Sequence, residues 1–104
     1  MNIRRYLIQL YFAAELYLDN NSLEGNIPKG IGGLKKLDIL DLSNNALTGA
    51  IPKEVGKLKT LDVLNMANNQ LSGLISGDLG KLNNLSEYYI GYFCYSICLV
   101  PSNH

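Results

Sequence analysis

Cys94 and Cys98, the terminal His104, and the carboxylates of Glu15, Asp19 and Asp41 are the side chains whose types and spacing could do chemistry. The Cys-x3-Cys pair offers two thiolates, whereas a closed zinc site takes four ligands, and His104 is a poor third. A local disulfide in an oxidising compartment and free thiols buried in an apolar tail both fit the pair. The three acids could form a pair or cluster, but nothing places a water, a metal or a leaving group between them. The cysteines lack a nearby base, and no serine sits in a nucleophile elbow. The chain is therefore read as a non-enzyme, with no metal and no cofactor. Two sequons, Asn20-Asn21-Ser22 and Asn84-Leu85-Ser86, would accept a glycan if the chain is secreted. Asn20 is expected on a strand edge and Asn84 on a loop.

Recognition is the chemistry left, and it needs a surface. Asn21, Asn45 and Asn69 occupy the same place in the phrase Leu-x-Leu-x-x-Asn-x-Leu, or its Met variant, and stand 24 residues apart. Full units run from Leu16 to Ile39, Leu40 to Val63 and Leu64 to Glu87, and self-similarity at such a period marks a solenoid. Leu16, Leu40 and Leu64, with Leu18, Leu42 and Met66, alternate at period two with polar or small neighbours. That alternation predicts one short strand per unit with a buried face, and stacked units then form a parallel sheet. The columns Leu23, Leu47, Leu71, then Leu34, Leu58, Leu82, then Leu37, Leu61, Leu85 turn inward and build a continuous core.

An Asn amide both donates and accepts, so Asn21, Asn45 and Asn69 are predicted to satisfy backbone groups in their own turn and the next coil. They are a structural ladder rather than ligand contacts. Gly25, Gly49 and Gly73 follow, then Ile27-Pro28, Ile51-Pro52 and Ile75-Ser76. Gly permits positive φ or close coil approach, and Pro suppresses helix. The convex side should therefore be loop, short strand and brief helical turn. Gly32, Gly56 and Gly80 punctuate the return, each preceded by an inward Ile31, Val55 or Leu79.

With those strand positions buried, the outward residues form the concave surface. They are Glu15, Tyr17 and Asp19 in the first unit, Ile39, Asp41 and Ser43 in the second, and Val63, Asn65 and Ala67 in the third. Glu87, Tyr89 and Gly91 follow if a fourth strand forms. Tyr17 and Tyr89 are the candidate aromatic anchors.

Nine basic residues balance nine acidic ones, so no net charge draws the chain to nucleic acid or an anionic membrane. The chain divides into a degenerate leading half-repeat at 1–15, three repeats at 16–87 and a divergent apolar and aromatic tail at 88–104. In the leading segment Ile3, Leu7, Leu10 and Ala13 fall under Ile27, Ile31, Leu34 and Leu37, which fits a worn repeat better than a signal peptide interrupted by Gln9. Tyr88 to Val100 is shorter than the roughly 20 residues of a membrane-spanning helix, and reads as a last strand or an improvised cap.

The full pattern, complete from Leu37 to Leu58, resembles the plant-specific class of leucine-rich repeats, and the likeness extends from Ile3 to about Leu85. It implies an α/β solenoid: a right-handed superhelix with a parallel sheet on the concave face and loop, 3-10 or short helix on the convex face. Members of that class form ectodomains of plant receptor-like kinases and receptor-like proteins, and secreted inhibitors of cell-wall-degrading enzymes. The resemblance implies a recognition module that contributes to signalling through its concave face. A protein or peptide would be its partner, or another leucine-rich repeat receptor, at the plasma membrane or outside the cell. The alternatives are a soluble inhibitor of a secreted hydrolase and a truncated receptor remnant. No kinase activity carries over, since the nucleotide and catalytic loops have no counterpart here. The chain departs from the class in its few repeats, in lacking an N-terminal paired-cysteine cap, and in placing Phe93 in the Asn column.

Overall fold

Period-two alternation gives strands of three residues, each turning its middle side chain toward the core, with Leu16, Leu40 and Leu64 buried and Tyr88 half-buried. The computed structural model describes residues 10–72 and 77–89. Ile3, Leu7, Gly73, Ile75, Ser76, Gly91, Phe93, Cys94, Cys98 and His104, with the readings attached to them, lie outside those residues. Strands β1 (Glu15–Tyr17), β3 (Ile39–Asp41), β5 (Val63–Asn65) and β7 (Glu87–Tyr89) pair in that order, all parallel. Glu15 pairs with Ile39, Ile39 with Val63 and Val63 with Glu87, so the sheet register equals the sequence repeat. The fourth strand is present, with Tyr88 beside Leu64.

A second parallel sheet goes beyond the single sheet expected from the strand columns. It is formed by β2 (Glu24–Asn26), β4 (Ala46–Gly49) and β6 (Gln70–Leu71). Its register is not that of the repeat, because Gly25 pairs with Leu47 and Gly49 with Leu71, an offset of 22 residues. A slip of two residues keeps every side chain on its own face, whereas a slip of one would turn the leucines outward. Each inward leucine thus lies beside a glycine of the preceding coil. Gly25 and Gly49 also take φ of 81° and 80°, which other residues rarely adopt.

The coil returns through 3-10 segments at Lys29–Gly33, Lys53–Lys57 and Gly77–Lys81. Pro28 and Pro52, at φ −75° and −69°, lead into the first two. These segments pack backbone against backbone. A Cβ on Gly32 would lie 2.7 Å from the Glu54 carbonyl oxygen, and one on Gly56 would lie 2.5 Å from that of Asp78.

Between the sheets and the 3-10 segments lies one core. In the middle coil Leu40, Leu42, Leu47, Val55, Leu58 and Leu61 are wholly buried, while Leu18, Leu71 and Leu85 at the ends are half-buried. Each layer is sealed only by a neighbour on both sides, and each fully buried Leu contributes about 1.5–3 kcal/mol of transfer free energy. Leu10 and Ala13 pack against the first layer, with the Ala13 N–H on the Leu10 carbonyl at 2.9 Å. The same bond recurs from Leu37 to Leu34 and from Leu61 to Leu58.

Candidate binding face

Strands this short hold their outward side chains in straight columns across the sheet. One column is Glu15, Ile39, Val63 and Glu87, with exposed acids outside and half-buried aliphatics between. The next is Tyr17, Asp41, Asn65 and Tyr89. Its tyrosines are 55% and 52% exposed, and the shorter side chains between them are half-buried. Three strand steps separate the rings' parent residues, about 14 Å at the usual spacing. The Tyr89 hydroxyl donates to Glu87 Oε1 at 3.3 Å, leaving the ring face open.

The third column, Asp19, Ser43 and Ala67, differs from the expectation. Ser43 is only 5% exposed. Its N–H and hydroxyl both donate to Asp41 Oδ1, at 3.0 and 2.7 Å, and its carbonyl accepts the Asn20 N–H. The chain is already bending there, and the serine is spent on the bend rather than presented outward. Asn65 does the same for the third coil, its Oδ1 accepting the Ala67 N–H at 3.1 Å. Asp19 Oδ2 accepts the Asn20 amide at 3.0 Å.

Under this face the asparagine ladder ties coil to coil. Asn45 Nδ2 donates to the Leu18, Leu42 and Ser43 carbonyls, and its Oδ1 accepts the Leu23 N–H at 3.0 Å. Asn69 repeats the set with Leu42, Met66, Ala67 and the Leu47 N–H. The contacts reach back to the preceding coil. Asn21, in the first repeat, bonds only the Leu18 and Asp19 carbonyls of its own turn among the described residues, and is exposed.

A second asparagine row was missed from the sequence. Asn20, Asn44 and Asn68 all take φ of 57°, and the Asn68 amide donates to Asn44 Oδ1 at 3.0 Å. Asn tolerates this left-handed region better than other side chains, and the signal for it was the doubling of Asn in each repeat. Asn20 therefore sits in the turn after the strand rather than on its edge. Further stitches precede the strands. Thr60 donates to the Leu37 carbonyl at 2.6 Å, Asn84 to that of Lys59 at 3.2 Å, and Ser86 to Asp62. The sequon at Asn84 thus has both polar side chains engaged with the preceding coil.

Among the described residues no group of His, Cys, Asp and Glu could hold a metal, and no helix is long and apolar enough to cross a membrane.

A family model for the leucine-rich repeat matches residues 13–71, more than half of the chain. No curated protein sequence matches it. Among solved structures, the ectodomain of the Arabidopsis thaliana membrane receptor kinase GASSHO1/SCHENGEN3, in complex with Casparian strip integrity factor 2, is 37% identical with a TM-score of 0.82. The match covers 86% of this chain and 11% of that one. The Arabidopsis receptor kinase HAESA, solved with the peptide hormone IDA and the co-receptor SERK1, is 33% identical at a TM-score of 0.80, over 88% and 15% of the two chains. A plant ice-binding protein is 31% identical at 0.81, over 86% and 29%. This chain thus spans a small part of the length of each. Period, paired sheets, asparagine ladder and matched family model together make the chain a member of the leucine-rich repeat family.

Proposed function

We propose that this chain is a recognition module of leucine-rich repeat receptor type, which binds a protein or peptide across β1, β3, β5 and β7 and contributes to signalling without catalysis of its own. The observation that carries the reading is the column Tyr17, Asp41, Asn65, Tyr89. Two half-exposed aromatic rings stand at its ends, with lower polar side chains between them. A peptide laid across the strands would meet an aromatic anchor at each end. It would find the hydrogen-bonding groups of Asp41 and Asn65 in the middle and the apolar Ile39 and Val63 beside them. The receptor ectodomains it is similar to include ones solved with peptide partners and a co-receptor, which supports the same class of ligand here.

Peptides selected from a displayed random library against the full chain provide the test. Binding is expected to fall by about 2 kcal/mol, roughly thirtyfold in Kd, for Tyr17→Ala and for Tyr89→Ala. Neither change should move the unfolding midpoint, since both rings are largely outside the core. Ligands that bind both variants as tightly as the parent would overturn the assignment of this face. A folded chain that selects no peptide at all would favour the receptor remnant.

A further inference from the structure

Positive and negative charges balance over the chain, but the lysines are confined to one side of it, where Glu54 and Asp78 lie among them. All seven lysines fall in the 3-10 segments or in the turns just after them. The outward strand positions carry Glu15, Asp41 and Glu87 and no lysine. The lysines also keep the coil register. Lys29 and Lys53 hold equal places in successive segments, as do Lys57 and Lys81, and Lys35 and Lys59 hold equal places in the turns that follow. Backbone packing at Gly32 and Gly56 holds these segments close, so the column step is near the strand spacing of about 4.8 Å.

Like charges aligned at that spacing repel one another, and the chain relieves them only in part. Asp78 pairs with Lys81 at 2.9 Å, while Lys59 donates to the Lys81 carbonyl at 3.3 Å. Among the described residues Lys53 and Lys57 have no ion-pair partner. Between the second and third segments the surface sinks into a pocket of about 450 Å³ lined by Lys53, Lys57, Lys59 and Lys81, together with Glu54 and Asp78.

We propose that this lysine surface binds a linear anionic polysaccharide carrying about one carboxylate per sugar unit. Each lysine column offers two charges on successive coils, a spacing that a charge on each sugar matches. Duplex DNA carries one charge about every 1.7 Å of its axis, far denser than these columns can neutralise. The pocket lining has no aromatic face on which an unpaired base would stack. Glu54 and Asp78 would repel a dense phosphate chain, yet they accept hydrogen bonds from sugar hydroxyls. Lysine is a compact, hydrated point charge without the fork that favours phosphate, which suits scattered carboxylates. The surface is separate from the strand face, so this binding and the peptide reading stand or fall independently.

The full chain, applied to immobilised polygalacturonate at low ionic strength, should be retained and should elute as salt screens the exposed lysines. Combined Lys53→Gln, Lys57→Gln and Lys59→Gln should weaken binding about tenfold, the loss of three exposed ion pairs. The three arginine replacements at the same positions should retain it. If the triple glutamine variant does not fold, Lys57→Gln alone should still weaken binding about twofold. The proposal is overturned by any of four results: no retention at low salt, binding indifferent to the glutamine variants, equal retention on the methyl-esterified polymer, or tighter binding to duplex DNA.

Discussion

Replacing Asn45 with alanine removes four hydrogen bonds, and their surroundings show how much of that loss is felt. The three carbonyls that Asn45 Nδ2 touches each keep another donor. Leu18 retains the Asn21 amide at 3.0 Å, Leu42 the Asn69 amide at 2.9 Å, and Ser43 the Asn20 N–H at 3.0 Å. The Leu23 N–H is different. Its partner among the described residues is Asn45 Oδ1, and Leu23 is 1% exposed, so water does not readily replace the lost acceptor. An orphaned buried donor costs about 1–3 kcal/mol, and the weakened carbonyl bonds bring the total to about 3 kcal/mol. Asn21→Ala removes two bonds at an exposed site and should cost less than about 1 kcal/mol. Urea unfolding of the two full-length variants measures the difference directly. In a thermal melt Asn45→Ala should lose more than about 10 °C, given roughly 4–8 °C per kcal/mol for a domain of this size. Asn45→Asp should be worse than alanine, because it keeps the acceptor for Leu23 but turns a negative oxygen toward three carbonyls. If Asn45→Ala and Asn21→Ala were equally mild, the reasoning that locates the cost in the buried Leu23 donor would be refuted.

Three further outcomes follow from the backbone geometry. Gly56→Ala would place a methyl group 2.5 Å from the Asp78 carbonyl and should destabilise by about 1–3 kcal/mol. Gly33→Ala meets nothing within 4 Å and should be neutral or stabilising by up to about 1 kcal/mol in the same denaturant titration. At Asn44, whose φ is 57°, glycine should be tolerated and valine should cost about 1–2 kcal/mol, read from the shift in thermal midpoint.

The fold was largely legible because each inward column repeats its chemistry at one spacing. Leu40 and Leu64 could be assigned to the core, and Tyr17 and Tyr89 to the outer face, from alternation alone. Ser43 was not legible. Alternation places it outward, but its burial depends on where the chain bends away from the sheet, and that bend is held by Asp41 of the same repeat. The roles of Thr60, Asn84 and Ser86 were hidden for a related reason. Each meets a carbonyl or carboxylate 23 to 25 residues back, so no local pattern announces the contact.

The amino-acid order alone determined the period, the side of the chain that faces inward and the placing of an amide at every bend. These follow from side-chain polarity at fixed spacing, which is a local property. Tertiary structure decided the rest. It set the second sheet two residues off the repeat, because coils pack at the spacing their glycines permit and a slip of two preserves the buried face. It also gathered on one side lysines that are scattered along the chain, because each coil returns its 3-10 segment to the same edge of the stack.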